Sequence, residues 1–161
     1  MHQSDVLMLG LGLAPPWKLL DQHLDVDASP NELQLDVGTE RGTQFQCPKC
    51  AKLCPAHDYQ QKRWRHLNFF QHHCYITAKV PRIKCAEHGV RLIEIPWARP
   101  ESGFTLLFEQ VALSLVREMP VSAAARHIEI TDQRLWRIVH HYVDKAVNAF
   151  DLSQLKAVGL D

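Results

Sequence analysis

The 161-residue chain has no glycine-rich phosphate loop, no long apolar run and no internal repeat. Without a clustered glycine loop there is no cradle for a phosphate, which argues against nucleotide hydrolysis and dinucleotide redox chemistry. No stretch approaches the roughly 20 apolar residues of a membrane-spanning helix, so no membrane partner is expected. The most apolar run, Val6 to Ala14, is short and is followed by Pro15-Pro16. Asp5 stands where a secretory signal would carry a base, so secretion is not expected either. The first forty residues also lack bases: Lys18 faces seven acids there, a balance of −6.

What the beginning lacks, the middle supplies. Residues 41–100 hold eleven bases against three acids, a balance of +8, and residues 101–161 hold six against eight. The formal net charge is therefore zero, but the charges are segregated. A basic middle between acidic flanks is the asymmetry of a chain that meets a polyanion locally. Apolar residues make up 46% and charged ones 22%, so a folded protein is expected rather than a disordered one.

The five cysteines are Cys47, Cys50, Cys54, Cys74 and Cys85. An odd number without a secretory signal disfavours a disulfide framework. Cys47-Pro48-Lys49-Cys50 is a C-x-x-C pair, and Cys85-Ala86-Glu87-His88 is a second pair ending in histidine. Two ligands two residues apart on a tight turn grip one side of a tetrahedral ion, and four N/S ligands with no open position make structural zinc. A redox C-x-x-C usually sits at a strand-to-helix junction, and no βαβ pattern surrounds Cys47. A local rival set exists: Cys47, Cys50, Cys54 and His57. It would anchor only eleven residues, whereas Cys47, Cys50, Cys85 and His88 staple the ends of a 42-residue segment, which a small core needs. On stapling the long-range set is preferred, and the rival stays open. Cys74 reads as a small buried hydrophobe in a strand, and His72 and His73 as solvated.

Periodicity divides the chain. Between Trp17 and Val37, Leu20, Leu24 and Val26 fall on even positions, 27–31 carry turn chemistry, and Leu33, Leu35 and Val37 alternate with polar residues, which predicts a β-hairpin. Short strands are expected between Gln44 and Pro96, with Tyr75 to Val80 alternating and Pro81 marking a sheet edge or bulge. The bases of this region, Lys62, Arg63, Arg65, Lys79, Arg82 and Lys84, surround Trp64 and suit phosphate contact with stacking. The same pattern also fits a solvated face around a zinc site.

Residues 96–100, Pro-Trp-Ala-Arg-Pro, read as a rigid linker, after which the period becomes helical. Helices are predicted over Thr105 to Arg117, over Val121 to Ile128, and from an N-cap at Thr131 to about Ala146. Ala125 before the turn, Ile128 and Ile130 around it, and Leu135 and Ile138 beyond it give the close crossing of a helix-turn-helix. Gln133, Trp136 and Arg137 then face outward. Glutamine and arginine can read base edges in a major groove, while Trp136 equally suits the rim of the helical core. A three-helix bundle that binds protein is the alternative.

These features in this order resemble the N-terminal half of the ISL-three family of bacterial insertion-sequence transposases. The resemblance rests on Val80-Pro81-Arg82-Ile83-Lys84-Cys85, Ile95-Pro96-Trp97-Ala98-Arg99-Pro100, Gly103-Phe104-Thr105 and Phe108-Glu109, followed by the helix-turn-helix. It spans roughly residues 7–161 and is most specific from Trp64 to Phe108. It implies a zinc finger on Cys47, Cys50, Cys85 and His88, and a helix-turn-helix that helps bind the terminal inverted repeats of the element. It also implies an RNase H-like catalytic domain whose three acids hold two divalent metals. By the resemblance Asp161 takes the first catalytic acidic position, and the sequence stops there. Two-metal chemistry needs several carboxylates to fix both ions, so the chain is expected to bind DNA and not to cut it.

The fold class expected is α+β. An N-terminal β-hairpin segment (1–40) leads to a β-rich zinc-binding domain (41–96) and a linker (97–103). An all-α helix-turn-helix domain (104–148) and the start of a truncated catalytic domain (149–161) follow. The expected cofactor is structural zinc. The partner is double-stranded DNA at transposon ends, with a homodimer as an option, in the bacterial cytoplasm at the nucleoid. A stand-alone regulator derived from a transposase and a zinc-stabilised protein-interaction module are the alternatives. Continuation of the reading frame into two more spaced acids separates the first of these from a truncated transposase, and salt-dependent duplex binding tests the second.

Overall fold

The computed structural model describes residues 3–151, so Asp161 and the expected catalytic start beyond Asp151 lie outside the described residues. The fold is mixed α/β, with a six-stranded sheet and, among the described residues, four helices. In chain order these are α1 (Gln3–Gly10), β1 (Trp17–Asp25), β2 (Glu32–Thr39), β3 (Gln44–Gln46), β4 (Leu53–Phe69), β5 (His72–Cys85), β6 (Gly89–Leu92), α2 (Leu106–Glu118), α3 (Val121–His127) and α4 (Asp132–Ala149). The chain divides into two compact units between Phe108 and Glu109.

In the first unit the strand order is β1-β2-β5-β4-β3, with β6 on β5. β1 and β2 form the expected antiparallel hairpin, Trp17 opposite Thr39 and Asp25 opposite Glu32. A bulge between Leu19 and Asp21 shifts the register, and one residue of shift exchanges the faces of a strand. Before the bulge the odd-numbered Trp17 and Leu19 take the inner face, and after it the even-numbered Leu24 lies opposite Leu33, while Leu20 at the bulge itself is 65% exposed. β2 pairs in parallel with β5, Leu33 opposite Cys74 and Val37 opposite Ala78. The N-terminal hairpin is thus part of the sheet that carries the cysteine turns, not a separate segment.

β4 and β5 are 17 and 14 residues long, where short strands were expected. Trp64 opposite Ile76 and His66 opposite Cys74 fill one face together with Leu35 and Val80. Pro81 lies between the end of the β2 pairing at Ala78 and the start of the β6 pairing at Arg82. A residue with no N–H is tolerated at such a gap in the ladder.

The segment expected as a linker is part of this core. Trp97 is only 3% exposed and meets Trp17 edge-on at 4.8 Å and Trp64 at 5.6 Å. Its carbonyl accepts the Leu106 N–H at 2.8 Å, and the Arg65 N–H donates to Gly103 at 2.8 Å. Three indoles bury more apolar area than a free linker could forgo, which is why a proline-flanked segment is held down. Thr105 then caps α2: its hydroxyl accepts the Phe108 N–H at 3.3 Å and lies 2.8 Å from Nδ1 of buried His66. Burial, with the Arg65 charge second, pushes the His66 pKa down to about 4.

The second unit has a small core. Ala124 and Ala125 of α3 and Leu135 and Ile138 of α4 are buried, and the two alanines let the helices approach closely. Glu129 takes the left-handed turn conformation (φ 57°), and the Ile130 N–H bonds the Ala125 carbonyl at 3.0 Å. Thr131 caps α4, its hydroxyl accepting the Arg134 N–H at 3.4 Å. Val139 and Tyr142 are only half-buried. The Tyr142 hydroxyl donates to Glu109 at 2.7 Å, a carboxylate that is 0% exposed.

Candidate metal centre and nucleic-acid interface

Two turns at the end of the sheet carry the metal-type ligands. The first joins β3 to β4: the Cys47 N–H donates to the Lys52 carbonyl at 2.9 Å and the Ala51 N–H to the Cys47 carbonyl at 2.8 Å. The second joins β5 to β6, with Cys85 opposite Gly89. Each turn closes on a left-handed residue directly after its second ligand, Ala51 (φ 58°) and Gly89 (φ 68°). The β4–β5 pairing brings both turns to the same end. That sheet geometry brings the ends of the 42-residue segment together.

The ligand atoms of Cys47, Cys50, Cys85 and His88 all lie within 4.8 Å of one another. Cys47 Sγ is 3.7 Å from His88 Nδ1, Cys50 Sγ is 3.7 Å from Cys85 Sγ, and Cys85 Sγ is 3.6 Å from His88 Nδ1. A tetrahedron with metal–sulfur bonds of about 2.3 Å has edges of about 3.8 Å, so the three thiols and one imidazole fit zinc in number, type and spacing. The amide of Lys49 lowers the Cys47 thiol pKa, and those of Glu87 and His88 lower that of Cys85. The same turns that place these two sulfurs therefore favour their thiolates. Lys52 and Glu87 form an ion pair from one turn to the other.

Cys54 and His57, the members of the local rival set, stand outside this group. Cys54 lies opposite Phe45 on β4 with its thiol toward the Lys52 carbonyl at 3.6 Å, and burial raises its pKa. Cys74 is buried in β5 and burial pushes its thiol up to about 11.

The six bases expected to touch phosphate are not equivalent. Arg65 is only 4% exposed and donates to Asn68 Oδ1 at 2.7 Å. Its strand bridges to Phe104, and this covered position is not a phosphate-facing one. Arg63 pairs with Glu32 at 2.6 Å and lies 3.6 Å over the Tyr75 ring. Arg82 grips Asp58 through two nitrogens, Nε at 2.6 Å. The acidic hairpin and Asp58 thus offset part of the basic middle. Lys62 is half-buried on β4, and Lys79 and Lys84 are exposed on β5.

On α4, Gln133, Trp136 and Arg137 lie on the exposed side, away from Leu135 and Ile138. Trp136 is 45% exposed, its ring tilted against His140 at 5.4 Å. Val143, Val147 and Phe150 are also exposed, and α4 runs to Ala149, one turn past its expected end. The sequence reading missed the exposed Phe69-Phe70 tip of the β4–β5 hairpin, because phenylalanine carries no turn signal.

Comparison with known proteins agrees with this geometry. Residues 43–88, spanning both turns, match the family described as the zinc-finger of transposase IS204/IS1001/IS1096/IS1165. Residues 93–143 match the helix-turn-helix domain of transposase family ISL3. Two successive stretches of the chain are thus similar to the zinc-finger and helix-turn-helix domains of this transposase family. Over 124 residues it is 25% identical to the transposase for insertion sequence element IS1557 of Mycobacterium tuberculosis, in strains CDC 1551 / Oshkosh and ATCC 25618 / H37Rv. That similarity covers 71% of this chain and 27% of the relative, so the chain spans about a quarter of the length of the curated relatives it matches. No solved structure matches it significantly. The matches fall on DNA-binding modules and not on a catalytic domain. Among the described residues no helix is long and apolar enough to cross a membrane.

Proposed function

We propose that this chain binds duplex DNA at the terminal inverted repeats of an insertion element, as the recognition part of a transposase. The observation that carries the reading is the Cys47, Cys50, Cys85 and His88 cluster inside a transposase zinc-finger match, next in the chain to the ISL3 helix-turn-helix match. Zinc on those four side chains serves as a structural staple. Lys62, Lys79 and Lys84 contribute sequence-independent phosphate contacts, and Arg63 and Arg82 join them only by exchanging Glu32 and Asp58 for phosphate. Gln133 and Arg137 of α4 read base edges, with Trp136 beside them. The reading keeps 41–96 as the zinc-binding segment and 104–148 as the helix-turn-helix, and a homodimer would present two such helices to paired half-sites.

A gel shift with the element's own ends tests this. Changing Gln133 or Arg137 to Ala should cost about 1–3 kcal/mol on the cognate end and much less on random duplex. Equal losses on both would mean that α4 only grips the backbone.

A further inference from the structure

The tip of the β4–β5 hairpin has no part in the zinc centre or in α4. Phe69 and Phe70 stand exposed there, Phe70 at 86%, their rings edge-to-face at 4.9 Å. Phe70 has φ 55°, a left-handed conformation that turns normally assign to glycine or asparagine and that is an outlier for a bulky residue. Strain of this kind persists where the surroundings hold it, and the root of this tip is well held. Asn68 is bound by the buried Arg65, and the His73 N–H donates to Asn31 at 3.0 Å. Two aromatic rings are thus presented on a rigid base.

Charge says what the rings are presented to. Beyond Asp58, which Arg82 holds, the hairpin carries from Tyr59 to Lys84 six Lys or Arg and no Asp or Glu; Arg65 is covered and Arg63 is paired, which leaves Lys62, Lys79 and Lys84. Glu32, opposite His73 on β2, is taken up by Arg63. An apolar aromatic tip on a hairpin with a net basic charge suits a polyanion that also offers flat faces. We propose that the Phe69-Phe70 tip is a wedge for nucleic acid, which enters between base steps and stacks on what it unstacks. Apolar wedges on protein arms do this in the minor groove, and stacking of bases on aromatic rings is tolerant of sequence. The proposal rests on the DNA-binding reading above.

The test uses the intact 161-residue chain, a fully paired duplex of about 40 base pairs, and the same duplex with one central mismatch. A mismatched step is easier to open, so the intact chain should prefer the mismatched duplex by about tenfold or more. Phe70→Gly removes the ring and relaxes the backbone, so it should keep its zinc and an equal or higher Tm. Its preference should fall to near one, while its salt dependence on paired duplex stays unchanged. Phe69→Ala should lower the preference without the gain in Tm. Salt-dependent binding with no preference in the intact chain, or a preference that survives Phe70→Gly, overturns the wedge and leaves the DNA reading standing. No binding to either duplex overturns both. Phe70-dependent binding to phosphatidylserine vesicles in place of DNA assigns the tip to a lipid surface and overturns the proposal.

Discussion

The sheet unit and the helical unit are held together in opposite ways. The sheet unit joins residues far apart in sequence: β2 pairs with β5, Trp17 meets Trp97, and Cys47 lies beside His88. The helical unit is local, with Ala124 and Ala125 against Leu135 and Ile138 across one short turn. Stability in the first depends on long-range anchors, each closing a large loop. In the second it depends on how closely two helices approach. The two units should therefore fail to different insults.

Trp97→Ala should be the most damaging single change outside the metal ligands. It removes the indole shared by Trp17 and Trp64 and should cost about 3–5 kcal/mol, read as loss of the sheet unit's unfolding transition in denaturant. Acid should act next. His66 is held neutral at a pKa of about 4 against 6.5 when free, so the folded state binds fewer protons between those values. Stability is then full above about pH 6.5 and falls as pH drops toward 4, by up to about 3 kcal/mol. His66→Gln should flatten that dependence, and the difference between the two pH profiles isolates His66 from the zinc ligands. Ala125→Leu should cost the helical unit about 1–3 kcal/mol by overpacking and leave zinc content unchanged. The smallest effect runs the other way. Ala51→Gly, which matches the residue in the equivalent place after His88, should stabilise by about 1 kcal/mol in a thermal melt.

Legibility in the sequence follows the same division. The helices, the Thr131 cap and the small residue at Ala125 could be read because their signals lie within a few residues of what they determine. The two cysteine-containing turns were readable for the same reason, although joining them needed either the stapling argument or the family resemblance. The parallel pairing of β2 with β5 has no local signal at all. β4 could not be read as a long strand because its charged residues break the alternation, and Arg65 gives no hint that Gly103 and Phe104 cover it. Trp97 between two prolines reads as a linker until Trp17 and Trp64 are placed beside it. The bulge that exposes Leu20 depends on the partner strand, so alternation alone cannot place Leu20 on β1.

Metal content of two purified variants tests the central claim most directly. If zinc joins the two ends of the basic segment, Cys54→Ser should retain one zinc per chain. Cys85→Ser should retain none and lose the cooperative unfolding of the sheet unit, while the helical signal of the second unit persists. Zinc kept by Cys85→Ser and lost by Cys54→Ser would contradict the account and put the metal on the local set of Cys47, Cys50, Cys54 and His57.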